Sequence, residues 1–299
     1  MILRDRPDGI RIKVPAFQGM LPYLFRSRTE SAIYFKQQVD LSKTLSYIKE
    51  RNRGLPEGTK NVTFFQVCLC AALHTVLQRA QLNIFTSGYH YYQRNEIVFS
   101  FVAKKQLVDG GEEINVKIPF SPDDTISTVS EKISSYINKH KNEDKNTNTA
   151  DPGFFMKFPR SILKLIMGSF RLLDFFNLAP GSMLKADPMY STMFITNVGS
   201  VGIDAPYHHL FEWGNNSIFL AIGKIRKGPM VNEKTGETRI TDLVDITFSF
   251  DDRIADGIYS ARSIDILINY IENPQLMEQP VELTAEQLEK LKLKKESVK

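Results

Sequence analysis

The spacing of hydrophobic and polar positions predicts strands and helices in an irregular order along the chain. The clearest strand is 243–251, where Val244, Ile246, Phe248 and Phe250 point one way and polar residues point the other. Alternating or short apolar runs predict further strands at 31–39, 114–119, 192–198 and 217–225, and a hairpin with arms at 89–94 and 97–104.

Helical spacing predicts helices over residues 41–52, 63–80, 125–140 and 258–271. The second of these is largely apolar and is predicted to be buried, with Cys68 and Cys70 as core thiols. Strands and helices mix without the regular order of a doubly wound sheet. We therefore expect an α/β fold of the α+β two-layer sandwich type, with a mixed sheet packed against helices.

Composition narrows the class of protein. The 299 residues are 42% hydrophobic and 24% charged, as in an ordinary globular protein. No run reaches the roughly 18–20 apolar residues of a membrane span, and the first ten residues lack the apolar segment of a signal peptide. Two cysteines form no disulfide framework. We expect a cytoplasmic protein, and the net charge of +4 is too small to indicate a nucleic-acid partner.

Residues 156–178 combine cations and apolar side chains at helical spacing. Lys157, Arg160, Lys164 and Arg171 form the basic part of this predicted helix. Two interpretations stay open: a core-packed helix with a solvated basic rim, or a peripheral contact with a membrane surface or a partner. The polar residues before it, 141–152, are predicted to form a surface loop.

The segment with recognisable chemistry is ITFSFDDRIADG, residues 246–257. It resembles the end of the catalytic domain of the 2-oxoacid dehydrogenase acyltransferases, in the dihydrolipoyl acyltransferase and chloramphenicol acetyltransferase-like superfamily. That family has His-x-x-x-Asp-Gly after a long strand and before a helix. Asp256 and Gly257 match the last two positions, and Asp252 stands at the position of the His.

Two further segments support the resemblance. Residues 195–200, ITNVGS, are similar to the family strand that supplies a hydroxyl, which would be Thr196 here, followed by Asn197 and Gly199. Residues 221–229 are similar to the next strand and its basic exit. The order of elements over residues 23–276 is also similar, so the resemblance covers most of the chain.

The resemblance implies a fold of the chloramphenicol acetyltransferase type and a homotrimer with active sites between subunits. It implies a small-molecule acyl donor and acceptor, with coenzyme A as the suspected carrier. In the family the His is the general base and the hydroxyl stabilises the oxyanion. The Asp of Asp-Gly pairs with an Arg and is largely architectural, and Gly257 would permit a tight entry to the helix.

Asp252 departs from this pattern in a way that changes the expected chemistry. An unperturbed Asp has a pKa near ~3.9 against ~8.5 for a thiol, so it is a poor base unless burial raises its pKa. Asp252 is therefore either a catalytic carboxylate or a structural one, paired with Arg253, Arg26 or Arg28. Thr196 is either an oxyanion donor or an ordinary strand residue.

Other candidate groups add little. The pair His208 and His209 follows the Thr196 strand by a dozen residues, and a loop there could bring an imidazole to the same cleft. We expect no metal site, because no acidic or Cys ligands have recognisable zinc spacing.

These observations predict an N-terminal arm at 1–22, an acyltransferase-like domain at 23–277 with an insertion at 152–186, and a charged tail at 278–299. No lipoyl domain is recognisable in the chain. The predicted function is acyl transfer from acyl-coenzyme A to an unknown acceptor, with activity weak or lost because Asp252 replaces the His. The alternative is a catalytically inactive trimeric binding or scaffold protein of the same fold.

Overall fold

The computed structural model describes residues 5–54, 61–104, 113–141, 156–232 and 234–294. The predicted polar loop at 141–152 therefore lies almost entirely outside the described residues. The helices are α1 Ala16–Leu24, α2 Ser42–Arg51, α3 Phe64–Gln78, α4 Ile126–Lys141, α5 Arg160–Phe175, α6 Gly181–Ala186, α7 Gly257–Glu272 and α8 Ala285–Leu291. The strands are β1 Gly9–Arg11, β2 Ala32–Asp40, β3 Ile84–Ser87, β4 His90–Arg94, β5 Ile97–Lys104, β6 Glu113–Phe120, β7 Met193–Asn197, β8 Ile218–Ile222, β9 Arg226–Val231 and β10 Thr238–Asp251.

Within these ranges, one large sheet carries the fold. Its strand order is β2-β10-β8-β7-β5-β6, with β9 paired to the first half of β10. The β5–β7 and β7–β8 pairs are parallel and the other pairs are antiparallel. The sheet is therefore mixed, as the sequence predicted.

One face of the large sheet packs against the helices. Alternate residues of the strands, such as Ile195, Leu220 and Phe248, point to this face and share a single core with the leucines of α3. A capping box begins α3, because Thr63 and Gln66 each accept from the other's backbone N–H. Cys68 and Cys70 are buried free thiols in this core, which confirms their prediction. The two-layer α/β arrangement is confirmed.

The other face of the sheet carries polar side chains under a short strap, residues 205–211. Thr247 of β10 donates to the Pro206 carbonyl at 2.5 Å, and Ser249 donates to the His208 carbonyl. The His208 ring stacks on Phe219 with 3.9 Å between ring centroids. The strap therefore satisfies the hydroxyl groups that the alternation places on this side of β10.

The predicted hairpin between residues 89–94 and 97–104 is wrong, although both strands exist. β4 pairs with β3 and β1 in a separate small sheet, whereas β5 pairs with β6 and β7. The tight turn lies one strand earlier, at Gly88 and Tyr89, which both have positive φ. Two successive positive φ values match the strand twist in a two-residue hairpin.

Segments near both termini also pack on this body. The predicted arm contributes β1 and α1, and the predicted tail contributes α8, whose Leu291 is fully buried. Among the described helices, none is both long enough and apolar enough to cross a membrane.

Candidate functional site

The signature segment begins where β10 ends, with a buried ion pair. The Asp251 carboxylate accepts from Arg253 Nε and Nη2, both at 2.7 Å, and from Ser31 Oγ at 2.9 Å. Arg253 also donates to the Phe25 carbonyl at 3.3 Å. These contacts join the end of β10 to the residues before β2, so the turn that follows is held in one position.

Asp252 stands next to this pair and is not part of it. Its backbone N–H donates to the Ser31 carbonyl at 2.9 Å, and the residue is half-buried. Among the described residues, its carboxylate forms no ion pair. Within those ranges Asp252 pairs with none of the expected partners Arg253, Arg26 and Arg28, so the structural interpretation is wrong there. Arg253 pairs with Asp251 instead.

The electrostatic setting of Asp252 favours its protonated form. Burial raises the pKa of Asp252, and the nearby carboxylates of Asp251 and Asp256 raise it further. A carboxyl whose pKa lies above its ordinary range is a better match for accepting a proton from a thiol or hydroxyl.

Asp256 has an architectural position, but not the predicted one. Its carboxylate caps α7 by accepting from the Tyr259 N–H at 2.7 Å, and it has no arginine partner in the part of the chain described. The expectation for Gly257 is also wrong. Gly257 is the first residue of α7, and its φ is not positive. A Cβ at this position would meet nothing within 4 Å, so the entry to the helix does not require a glycine.

Thr196 lies near the end of β7 on the same sheet face as Thr247 and the strap. Its neighbours Met193 and Ile195 point into the helical core, so alternation directs Thr196 away from it. Thr196 is half-buried, and its hydroxyl has no hydrogen-bond partner within the described ranges. Asn197 ends the strand, and its carbonyl accepts from Ser200 Oγ at 2.8 Å.

The strand register separates Thr196 from Asp252 within one chain. Thr196 is level with Ala221 of β8, which is level with Thr247 of β10. Asp252 comes five residues after Thr247, about 17 Å further along the strand direction and two strands away. Within one chain the two candidate groups therefore occupy two separate positions, the Thr196 half-site and the Asp252 half-site, too far apart to act on the same atom.

Gly199 fixes the turn directly after Thr196 by close backbone contact. A Cβ at this position would meet the Gly223 carbonyl group, with its carbon at 2.6 Å, and Lys224 Cα at 2.9 Å. Only a residue without a side chain lets the end of β7 lie this close to the exit of β8.

We expect Gly199→Ala to lower the free energy of unfolding by about 1–3 kcal/mol, because backbone atoms must move to admit the methyl group. Denaturant unfolding of the purified variant measures this loss. Gly257→Ala is the matched control, and its stability should be unchanged or slightly higher because the site is open and helical. Equal effects at both glycines would contradict the assigned role of Gly199.

The strap places the imidazole of His208 away from both half-sites. Its ring lies on Phe219, which is level with Phe194 rather than with Thr196. Burial lowers the pKa of His208, so the ring is neutral near pH 7. A catalytic role for His208 or His209 stays a prediction.

Sequence reasoning missed a group of arginines beside the signature. Arg26 and Arg28 come from the segment before β2, and Arg171 comes from α5. They line one cavity together with Arg253, although they are far apart in sequence. No local pattern in the sequence connects them, since only the folded chain brings α5 over the end of β10.

Comparison with known proteins confirms the predicted resemblance and the fold. The sequence model of the family "2-oxoacid dehydrogenases acyltransferase (catalytic domain)" matches residues 178–278, which include both half-sites. The molecule thus has the fold of an acyltransferase catalytic domain of the chloramphenicol acetyltransferase type. No curated protein sequence gives a significant match.

Several solved structures share this fold at low sequence identity. A probable dihydrolipoamide acetyltransferase from Listeria monocytogenes is similar with a TM-score of 0.59 and 15% identity, over 92% of this chain and 98% of that chain. The dihydrolipoamide acetyltransferase of Azotobacter vinelandii has a TM-score of 0.53 and 12% identity, over 90% and 94%. A chloramphenicol acetyltransferase has a TM-score of 0.50 and 12% identity, over 89% and 98%.

Proposed function

We propose that this protein transfers an acyl group from acyl-coenzyme A to a small-molecule acceptor, with Asp252 as the general base. The observation that carries the proposal is the Asp252 carboxylate, which stands at the signature His position without an ion-pair partner among the described residues. A carboxylate kept there only for structure would be expected to hold the available arginine, and Asp251 does that instead.

The reaction follows from the two half-sites. The acceptor's hydroxyl or thiol attacks the thioester carbonyl carbon while its proton moves to Asp252. The Thr196 hydroxyl donates to the oxyanion of the tetrahedral intermediate. The carbon–sulfur bond then breaks, and the proton passes from Asp252 to the departing coenzyme A thiolate.

This chemistry requires a second copy of the chain, because Asp252 and Thr196 of one copy are too far apart to act on the same atom. A homotrimer would place Asp252 of one subunit opposite Thr196 of the next. The nine-residue strand β2 supports this assembly, since among the described strands only β10 pairs with it. Val201 and Ile203, beside Thr196, are 51% and 55% exposed and suit a subunit contact.

A groove lined by Asn197, the residue after Thr196, would accommodate the narrow pantetheine arm of coenzyme A. It has a volume of about 520 Å³ and lies between the start of α3 and the turn after β7. Glycines 199, 202 and 223 line it, so a thin chain can approach the backbone closely. Lys224 also lines it and would exchange its exposed ion pair with Asp204 for a phosphate group.

The test is release of coenzyme A from acetyl- and butyryl-coenzyme A, with small alcohols, amines and thiols as acceptors. We expect turnover that Thr196→Ala lowers by about 10²–10³-fold, as for loss of one oxyanion donor. A stable trimer that binds coenzyme A without any turnover would contradict the proposal and favour the inactive binding protein.

The outer surface of α5 favours a second candidate function, peripheral attachment to an anionic membrane. Only the inner side of this helix is packed, where Phe170 is buried; on its outer side Leu165 is 69% exposed and Leu172 is 61% exposed. Arg160 and Lys164 lie about 40° apart on the helical wheel, and the two leucines lie roughly 80–140° from them, whereas Arg171 is turned toward Trp213. An apolar strip flanked by cations complements acidic lipid headgroups.

We expect the variant Lys157→Gln, Arg160→Gln, Lys164→Gln to bind anionic vesicles on the order of 100-fold more weakly, because each cation contributes about 1 kcal/mol. Vesicle flotation measures the bound fraction. The control changes three exposed cations elsewhere, Lys49, Lys234 and Arg262, to Gln. Flotation that is the same for both triple variants would argue against attachment through α5.

A further inference from the structure

A cavity of about 730 Å³ lies between α5 and the end of β10. Arg171, Asp174 and Phe175 of α5 line one side, and Arg28 and Arg253 line the opposite side. The turn at residues 88–89 and the segment 212–214 complete the wall. The volume is in the range of pockets that bind small molecules.

The cavity has more cations than free carboxylates. Of its two acidic side chains, Asp174 pairs with Arg6 Nη2 at 2.7 Å, whereas Glu212 accepts from the neutral Thr29 N–H at 2.8 Å and keeps its negative charge. Arg253 is neutralised by Asp251. Three further arginines line the cavity without a carboxylate partner in the described part of the chain: Arg26, Arg28 and Arg171.

Arg28 has the least satisfied guanidinium of the three. Its Nη2 donates to the Thr86 carbonyl at 3.3 Å. Its Nε is buried and has no hydrogen-bond partner, and Nη1 has none among the described residues. Asp251, Glu212 and Asp174 act on Arg28 through longer-range electrostatic interactions, without an ion pair among the described residues. A largely buried cation without a carboxylate hydrogen-bond partner costs free energy, and an anion that accepts from it would reduce this cost.

Aromatic side chains form another part of the cavity wall. Tyr89 packs edge-on against Phe175 with 5.5 Å between ring centroids. Trp213 stacks on Phe170 of α5 at 5.2 Å, and the Arg171 guanidinium lies 5.8 Å from the Trp213 ring. A ligand here would therefore meet apolar surface beside the guanidinium groups.

The cavity is built on fixed supports. Arg6, whose side chain is fully buried, donates to Asp174 of α5 and also to Ser87 Oγ at 2.9 Å. It thereby ties α5 to the hairpin on the other side of the cavity. A preformed wall lowers the entropy cost of binding.

We propose that this cavity binds an organic anion, whose carboxylate or phosphate group pairs with Arg28 and Arg171 and whose apolar body lies against Trp213 and Phe175. The proposal goes beyond acyl transfer and does not depend on it, because it concerns binding alone. The same cavity would bind the anion whether or not Asp252 is catalytic.

Trp213 gives a direct readout, since it is the only tryptophan in the chain. The experiment titrates the full-length protein with hexanoate, with hexyl phosphate and with the neutral analogue hexanamide, and follows tryptophan fluorescence. We expect a saturable change with at least one anion and none with hexanamide. The anion that binds more tightly identifies the preferred group.

Two variants test the assigned arginines separately. Arg28→Gln and Arg171→Gln should each weaken binding of the anion by about 10–100-fold, whereas Arg262→Gln on the surface of α7 should leave it unchanged. Arg171 is exposed on α5, so Arg171→Gln should fold normally. It therefore still tests the proposal if Arg28→Gln fails to fold. The proposal is overturned if neither anion saturates, if hexanamide binds equally well, or if Arg171→Gln binds like the unaltered protein.

Discussion

We expect Asp252→Asn to slow acyl transfer by about 10²–10⁴-fold, the usual loss when a general base is removed. Asparagine has nearly the same shape but cannot accept the acceptor's proton. The assay is release of coenzyme A under saturating acyl donor, with binding of the donor measured separately. Asp265→Asn, at an exposed position on α7, is the matched control and should keep full activity.

The pH dependence gives this prediction a second readout. Because the pKa of Asp252 is raised, kcat/KM should rise with pH through a midpoint above the ordinary range of an aspartate. Asp252→His should restore strong activity with a midpoint near ~6.5, the unperturbed value of an imidazole. An Asn variant as active as the unaltered protein, or a pH profile that does not change in the His variant, would exclude Asp252 as the base.

The second large effect concerns stability. Asp251→Asn should lower the free energy of unfolding by about 3–5 kcal/mol, because it leaves the buried Arg253 guanidinium without its carboxylate. Denaturant unfolding monitored by circular dichroism measures the loss. Lys290→Gln breaks an exposed ion pair with Glu286 and should leave the unfolding curve unchanged.

A double variant separates charge from packing at this site. Asp251→Asn combined with Arg253→Met removes both charges, so it should be more stable than Asp251→Asn alone. If the double variant is the least stable of the three, the contribution of Asp251 comes from its other contacts, such as Ser31, and not from the ion pair.

Hydrophobic patterns predicted those elements whose type and burial depend on a single segment of the chain. The alternation over β10 and the apolar length of α3 each place one face in the core, so their type and burial followed from the sequence. The predicted β4–β5 hairpin was wrong, because strand partners are chosen by contacts between distant segments. The same reason hid the ion pair of Asp251 with Arg253 and the cavity that α5 completes.

The signature residues show a similar limit. The sequence pattern predicted Asp252 between the end of a strand and the start of a helix. In the structure it lies between β10, which ends at Asp251, and α7, which begins at Gly257. The separation from Thr196 became visible only from the register of three strands. The sequence could not show which carboxylate forms the ion pair with Arg253, because Asp251 and Asp252 are adjacent. Only the folded structure shows that their side chains lie in different surroundings.

Mixing two inactive variants tests most directly whether Asp252 and Thr196 of different subunits form one site. Asp252→Asn and Thr196→Ala are purified separately, dissociated, mixed in equal amounts and reassembled. Random trimers would regain about a quarter of the normal activity, because one subunit pair in four joins an intact Asp252 to an intact Thr196. Mixtures that stay as inactive as each variant alone would contradict a site shared between subunits.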